Sequence, residues 1–392
     1  MTVDVTVDVT MGSTAGPPAD RVQDAVAGLP PIEYAARPDA VRASLEGATL
    51  IVSTPSNVRW LTGFGGSLGW AVIGPELFCI ITDGRYGERA AADASTAGVA
   101  PEILVGRTRA EVRDHVVASA GPGPVRAEAG HLTHGAWLDF AKDVELEPDG
   151  GTIASQRRVK DRGELARIAQ AAQIADAALT VVAPMLAERP TEADVRDELE
   201  HRMRRLGADG PSYDTIVASG PEHAARPHHQ TGRRVIVEGD TVIIDVGALV
   251  DGYHSDMTRS FVVGAPTDEQ RRVYDLVLEA QLAGLAAIGP NVEARAVDAT
   301  CRQLFADAGL GDWFLHGTGH GVGLDIHEDP FETSISTDRL VVGDVVTVEP
   351  GLYRGGFGGV RIEDLVTVTD TGCRVLTRLS KDSPCLPSRP TT

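Results

Sequence analysis

Between residues 30 and 150, short apolar runs alternate with alanine-rich stretches. TLIVSTP (49–55) and FCIITDG (78–84) read as buried strands, and GERAAADAS as a helix between loops. This alternation predicts an α/β domain with a Gly/Pro patch, GPGP (121–124), inside it. EPDGGTIASQ (147–156) is a natural boundary, which gives a first domain over 30–152 and a second over 153–380. Helices then dominate. Asp161 with Glu164 forms a D-x-x-E start ahead of ELARIAQAAQIADAAL, and Pro190 ends that segment. Thr191 can cap the next helix, which runs to about Gly207. Thr267 and Gln270 open a long helix that stops at Gly289-Pro290, and 293–309 makes a fourth.

Two β-rich blocks interrupt the helices, and they match. GDTVIIDVG (239–247) and GDVVTVEPG (343–351) both read Gly-Asp, four β-formers, an acid, one residue, Gly. The repeat offset of 104 residues is too long for a solenoid and suggests two halves of one domain facing each other. Each block continues through a turn into a second strand. Asp245 is followed by the turn Asp251-Gly252 and then SDMTRSFVV, which carries Asp256. Glu349 is followed by RGGFGG (354–359) and then VRIEDLVTV, which carries Glu363. Antiparallel hairpins would set the two acids of each pair opposite one another.

Like charges opposed on apolar strands are unfavourable unless something cationic sits between them. Two divalent ions would neutralise Asp245, Asp256, Glu349 and Glu363. A histidine source lies between the blocks, in HGTGHGVGLDIHE (316–328). His316, His320 and His327 are spaced for one helix face, but Gly317, Gly319, Gly321 and Gly323 rule a helix out, each costing about 1 kcal/mol relative to Ala. The stretch is a loop or a glycine-rich strand whose backbone can approach something closely. Four carboxylates and one imidazole suit a two-metal hydrolytic centre. The oxygen-rich set favours Mn²⁺, with Co²⁺ or Zn²⁺ tolerated.

Composition narrows the partners. Net charge is −20, so a nucleic-acid partner is not expected. Aromatics are only 5%, so the core must rest on Ala, Val, Leu and Ile. The four cysteines are scattered, which fits a reduced cytoplasmic protein. No unbroken apolar stretch of about 18 residues occurs, so no membrane span is expected. Residues 1–29 lack the pattern of a signal peptide and read as a disordered tail.

The strings ASG…RPHH (218–229), DVG…SDMTR (245–259), HGTGHGVGLDIHE, VEPGLY (348–353) and VRIED (360–364) resemble those of the pita-bread metallopeptidases. That family includes methionine aminopeptidase, aminopeptidase P, prolidase and creatinase. SNVRWLTGFGGS (56–67) and ITDGRYGERA (81–90) are similar to the N-terminal domain of the aminopeptidase P and prolidase branch. The resemblance implies a creatinase-like α/β domain followed by a pita-bread metallopeptidase domain. It also implies cleavage before proline in proline-containing peptides, by attack of a metal-bridging water.

By the same resemblance Asp245 would chelate one metal, Asp256 and Glu363 would bridge both, and His320 and Glu349 would complete the other shell. Glu349 would also carry the water's proton to the leaving nitrogen. His228 and His327 would face the substrate, with His229 an alternative to His228. His316 would orient neighbours or serve only to stabilise its loop. Arg361 lies two residues before Glu363, on the same face of a strand, so it could hold the carboxylates in place, and Tyr353 would be a further donor or a packing residue. An intact ligand set disfavours creatinase chemistry. Aminopeptidase P activity is the favoured reading and Xaa-Pro dipeptidase the alternative, for which Arg339 or Arg354 would hold the proline carboxylate. A metal-free binding protein is the remoter alternative. Relatives with this N-terminal domain suggest a homodimer or homotetramer.

Overall fold

A computed structural model describes residues 25–386. Most of the tail assigned to 1–29 lies outside the described residues. The N-terminal half is built on a six-stranded sheet in the spatial order Glu102–Gly106, Phe78–Asp83, Trp70–Ile73, Thr49–Val52, Val125–Ala127, Leu146–Pro148. Its centre is antiparallel and its outer pairs are parallel. Both predicted strands are present, and Thr49–Val52 is buried at every position. Apolar groups cover both faces of the sheet, so its inner strands read as continuous apolar runs rather than alternating ones.

The second half opens on the helix Arg162–Val182. Asp161 accepts from Glu164 N (2.9 Å) and Glu164 accepts from Asp161 N (2.9 Å), closing the capping box. Thr191 with Asp194, and Thr267 with Gln270, cap the helices Glu192–Arg205 and Asp268–Ala287 in the same way. Along the first helix Ile168, Ala171, Ala175, Ala178 and Val182 form one buried stripe at helical spacing. The α-helix stops before the expected end at Pro190. Pro184 has no N–H to continue the i→i−4 ladder, and Ala183–Glu188 runs on as a 3₁₀ helix. By length and composition Arg162–Glu188 is the one described helix that could cross a membrane, but its apolar stripe packs inside the protein.

The two repeated blocks are interior strands. Thr241–Asp245 is flanked by Ile216–Ser219 and Thr258–Val262, and Val345–Val348 lies inside a five-stranded sheet. The halves join where Glu363 N donates to Thr258 O (3.1 Å) and Ser260 Oγ donates to Arg361 O (2.8 Å). In the second hairpin Val348 pairs with Asp364 and Gly351 with Arg361, a register that sets Glu349 opposite Glu363 as expected. In the first hairpin Asp245 pairs with Thr258, not with Asp256. A short antiparallel insert, Ala248–Val250 with Tyr253–His254, displaces the turn, so Asp256 reaches the site from two residues beyond the ladder.

One apolar cluster crosses between the halves, joining Val41, Leu50 and Phe64 to Ile168, Val322 and Leu365. Buried Arg157 lies at the same junction. It donates to Ser56 Oγ (3.0 Å) and Asn57 Oδ1 (2.7 Å) on one side, and to Asp325 (2.8 Å) and Glu328 (2.6 Å) on the other. Asp325 and Glu328 bracket His327, so the N-terminal half helps to fix the segment that carries this histidine.

Candidate metal centre

The strand ends bring five side chains to one buried place. His320 Nε2 lies 3.5 Å from Asp256 Oδ2 and 3.5 Å from Glu349 Oε1. Single ligand atoms of Asp256, His320 and Glu363 all lie within 4.8 Å of one another. Asp245 joins them through the hydroxyl of Tyr213, whose oxygen lies within hydrogen-bond reach of Asp245 Oδ1 (2.5 Å) and of Asp256 Oδ1 and whose single proton the two carboxyls share. Arg361 donates to Asp245 Oδ2 (2.6 Å), and its Nε reaches Thr258 Oγ1 (3.0 Å), which in turn donates to Glu363 (2.7 Å).

Electrostatics explain what the cluster lacks. Burial, then the neighbouring Asp245 and Glu349, push the Asp256 carboxyl well above its ordinary range. Burial, then Asp256 and Glu349, do the same to Glu363. Burial raises Glu349 to about 8, against the pull of Arg361. Four carboxyls share one guanidinium, and they are crowded together with little exposure to water. That is the environment divalent cations complete, and the donor set of carboxylate oxygens with one imidazole fits them.

His320 is prepared as a neutral donor. Its Nδ1–H donates to Gly321 O (3.0 Å), which leaves the Nε2 lone pair facing Asp256 and Glu349. Burial lowers its pKa to about 4. The glycines around it make room for neighbouring strands rather than for a ligand. A Cβ on Gly319 would sit 2.1 Å from Thr347 O, and one on Gly321 would sit 2.5 Å from both Glu328 O and Asp329 O. Gly319→Ala is therefore expected to destabilise the fold by about 2–4 kcal/mol and to weaken metal binding at least tenfold. Chemical denaturation and a metal titration of the same protein check both.

The site opens into a cavity of about 430 Å³. His228, His316 and His327 line it with the cluster, while His229 is turned away onto Glu192. The ring of His327 packs edge-on against His320, with centroids 4.4 Å apart. His316 sits at the end of a chain of donors. Arg361 donates to Tyr353 Oη (3.0 Å), Tyr353 donates to His316 Nε2 (2.9 Å), and His316 Nδ1 donates to Gly317 O (2.7 Å). Burial, then Arg361, lowers His316 to about 4 and so keeps it the neutral acceptor this chain needs. Tyr353 thus has a polar role as well as a packing one.

Two expected residues lie elsewhere. Arg339 pairs with Glu293 (2.6 Å) and donates to Asn291 O (2.6 Å), and Arg354 pairs with Glu269 (3.1 Å) over the ring of Trp313. Neither lines the cavity, because each lies on an exposed segment where a nearby acid engages it. Tyr213 was not signalled by the sequence: a lone tyrosine in PSYD has no spacing that ties it to the acids.

Residues 166–370 match the metallopeptidase family M24, and residues 40–159 match the creatinase/prolidase N-terminal domain. The chain is similar to the Xaa-Pro dipeptidase of Pyrococcus furiosus, 40% identical over 61% of this chain and 68% of that one. Among solved structures it is similar to the Xaa-Pro dipeptidase from Bacillus anthracis, with TM-score 0.82 and 36% identity, covering 89% of this chain and 98% of that one. It is also similar to the X-Pro aminopeptidase from Thermotoga maritima, with TM-score 0.79 and 29% identity, covering 87% and 98%. The chain belongs to metallopeptidase family M24 and carries the creatinase-type N-terminal domain ahead of its catalytic domain. It is a metal-dependent peptidase, and the reading as a metal-free binding protein falls with that assignment.

Proposed function

We propose that this protein hydrolyses the peptide bond preceding proline in short peptides, and that Xaa-Pro dipeptides are its first substrates. The observation that carries the chemistry is the closed cluster of Asp245, Asp256, Glu349 and Glu363 with the neutral His320. These five would hold two divalent ions, with Mn²⁺ the expected metal and Co²⁺ or Zn²⁺ tolerated. Bound there, such ions would supply Lewis acidity, lowering the pKa of a water at the site and polarising the scissile carbonyl.

The chain's own groups do the rest. Glu349 takes the proton of the attacking water and delivers it to the proline nitrogen, which has no proton of its own. His228 and His327 line the cavity from opposite segments and donate to the substrate and to the tetrahedral oxyanion. Arg361 holds Asp245 in place, and Tyr213 ties Asp245 to Asp256. The peptide's ammonium group binds beside the acids, which limits cutting to the first bond.

The dipeptide reading draws on the two relatives named Xaa-Pro dipeptidases. One observation favours the second reading, removal of the first residue from longer Xaa-Pro peptides. Among the described residues lining the cavity the only guanidinium is Arg361, already engaged by Asp245, Thr258, Tyr353 and Pro227. A proline carboxylate would then rely on histidine alone. Ala-Pro, Ala-Pro-Ala-Ala and Ala-Ala, each offered to the Mn²⁺-loaded protein, separate the two. Cleavage of Ala-Pro at the higher kcat/KM is expected. Preference for the tetrapeptide would establish the second reading, and cleavage of neither proline peptide would overturn both. The same proposal places the protein in the cytoplasm as a homodimer or homotetramer. Its four free cysteines support a reducing compartment.

A further inference from the structure

His228 sits on an irregular segment. The chain leaves the strand Ile216–Ser219, makes one turn over Gly220–His223, and carries no further regular element up to Gly232. Such a segment does not fix a side chain by itself. It is fixed from outside by Glu192, the first residue of the helix Glu192–Arg205, whose side chain is fully buried. Glu192 Oε1 accepts from Ser219 N (2.9 Å), Ser219 Oγ (2.7 Å) and His223 Nδ1 (2.9 Å). Its Oε2 accepts from His229 Nε2 (3.2 Å) and Gly232 N (3.2 Å). The carboxylate therefore holds the start, the middle and the end of the segment. On the other side of His228, Arg361 Nη1 donates to Pro227 O (2.9 Å). His228 is anchored one residue before and one residue after, by two buried charged groups.

Glu192, His223 and His229 also have the composition of a metal site, and their ligand atoms lie within 4.8 Å of one another. Two features argue against an ion there. The imidazoles are stacked, with centroids 4.2 Å apart and planes 28° apart, so their in-plane lone pairs run side by side instead of converging. The carboxylate already accepts five hydrogen bonds, which saturates it. We propose that Glu192 is a positioning residue: it turns His229 inward and thereby presents His228 to the substrate. This rests on the reading of the cavity as the peptide site.

The test is a double-mutant cycle on the full Mn²⁺-loaded protein, with Glu192→Ala, His228→Ala and both together, and with Glu192→Gln as the milder variant. Alanine at 192 is expected to lower kcat on Ala-Pro by about 10–100-fold with metal content unchanged. Adding it to His228→Ala should lower kcat by no more than about a further twofold. Glu192→Gln, which keeps one acceptor oxygen, should recover part of the loss. If Glu192→Ala does not fold, the cycle is run with Glu192→Gln. Full multiplication of the two losses would overturn the proposal. So would loss of a metal equivalent in the Glu192 variant, which would make the triad a third ion site. Hydrogen exchange over residues 219–232 decides the anchoring independently of substrate. It should quicken at least tenfold in Glu192→Gln, and unchanged protection would refute the anchor. A wild-type protein that cleaves no proline peptide would instead sink the substrate reading and leave the exchange result to judge Glu192.

Discussion

Replacing Asp256 by asparagine is expected to abolish hydrolysis and, in the same protein, to make the metal-free form harder to unfold. Asp256 is 5% exposed, shares the Tyr213 hydroxyl with Asp245, and faces His320 at 3.5 Å. It has no guanidinium of its own, since Arg361 is hydrogen-bonded to Asp245. In the metal-free protein its charge is a burden: burial and two neighbouring acids push the carboxyl well above its usual range. A neutral amide of the same shape removes that burden while still accepting from Tyr213, so stability should rise by about 1–3 kcal/mol. The amide is a poor bridging ligand, so activity should fall by roughly three orders of magnitude or more. The wild-type protein should gain about 3 kcal/mol for each of the two ions at a metal concentration a hundred times Kd, and the variant should lose most of that gain. Urea denaturation of both proteins, with and without Mn²⁺, checks the three statements. A variant destabilised in the absence of metal would mean that the carboxylate is structural.

The second large effect is the response of the metal-free protein to pH. A carboxyl whose pKa rises on folding binds more protons folded than unfolded, so stability falls as pH climbs from the unfolded value through the folded one. Glu349 moves from 4.5 to about 8. An imidazole whose pKa falls on folding acts in the opposite sense, but mainly below its unfolded value. His316 and His320, lowered from 6.5 to about 4, therefore oppose the fall by only about 0.4 kcal/mol each just above pH 6.5 and are silent above about pH 7.5. Between pH 6.5 and 8 Glu349 alone should remove about 2 kcal/mol, and Asp256 and Glu363, raised for the same cause, act in the same direction. With saturating Mn²⁺ the fall should vanish, because bound ions replace the protons. Equilibrium unfolding at several pH values across this window, with and without chelator, measures the difference. A flat metal-free profile would mean that the four acids are not the closed cluster described above.

Much of this was legible in the chain because it is local. The capping boxes at Asp161 and Thr267 lie within three residues of their partners, and the buried strands declare themselves by composition. The two acid-bearing blocks could be paired because the strands repeat. Register was legible only for the second hairpin, where a single turn joins the strands. In the first, the insert at 248–254 depends on pairing with Gly210–Pro211, far back in the chain, and no local spacing reports it. Long range hides the supporting residues too. Glu192 reads as an ordinary acid in a first helical turn, and Arg157 as a charge on a linker helix. Their partners are 27 or more residues away for Glu192 and 100 or more for Arg157. The clamp readings of Arg339 and Arg354 failed for the converse reason: nearness to a motif in sequence does not place a long side chain on the cavity side of a strand.

The measurement that bears most directly on the central claim is a titration of chelator-stripped protein with Mn²⁺, counting bound ions per chain while following release of alanine from Ala-Pro. Bound metal should level off at two ions per chain, with hydrolysis absent before metal is added and complete once both have bound. Hydrolysis that survives stripping, or a protein that takes up no ion at the Asp245, Asp256, His320, Glu349 and Glu363 cluster, would contradict the account.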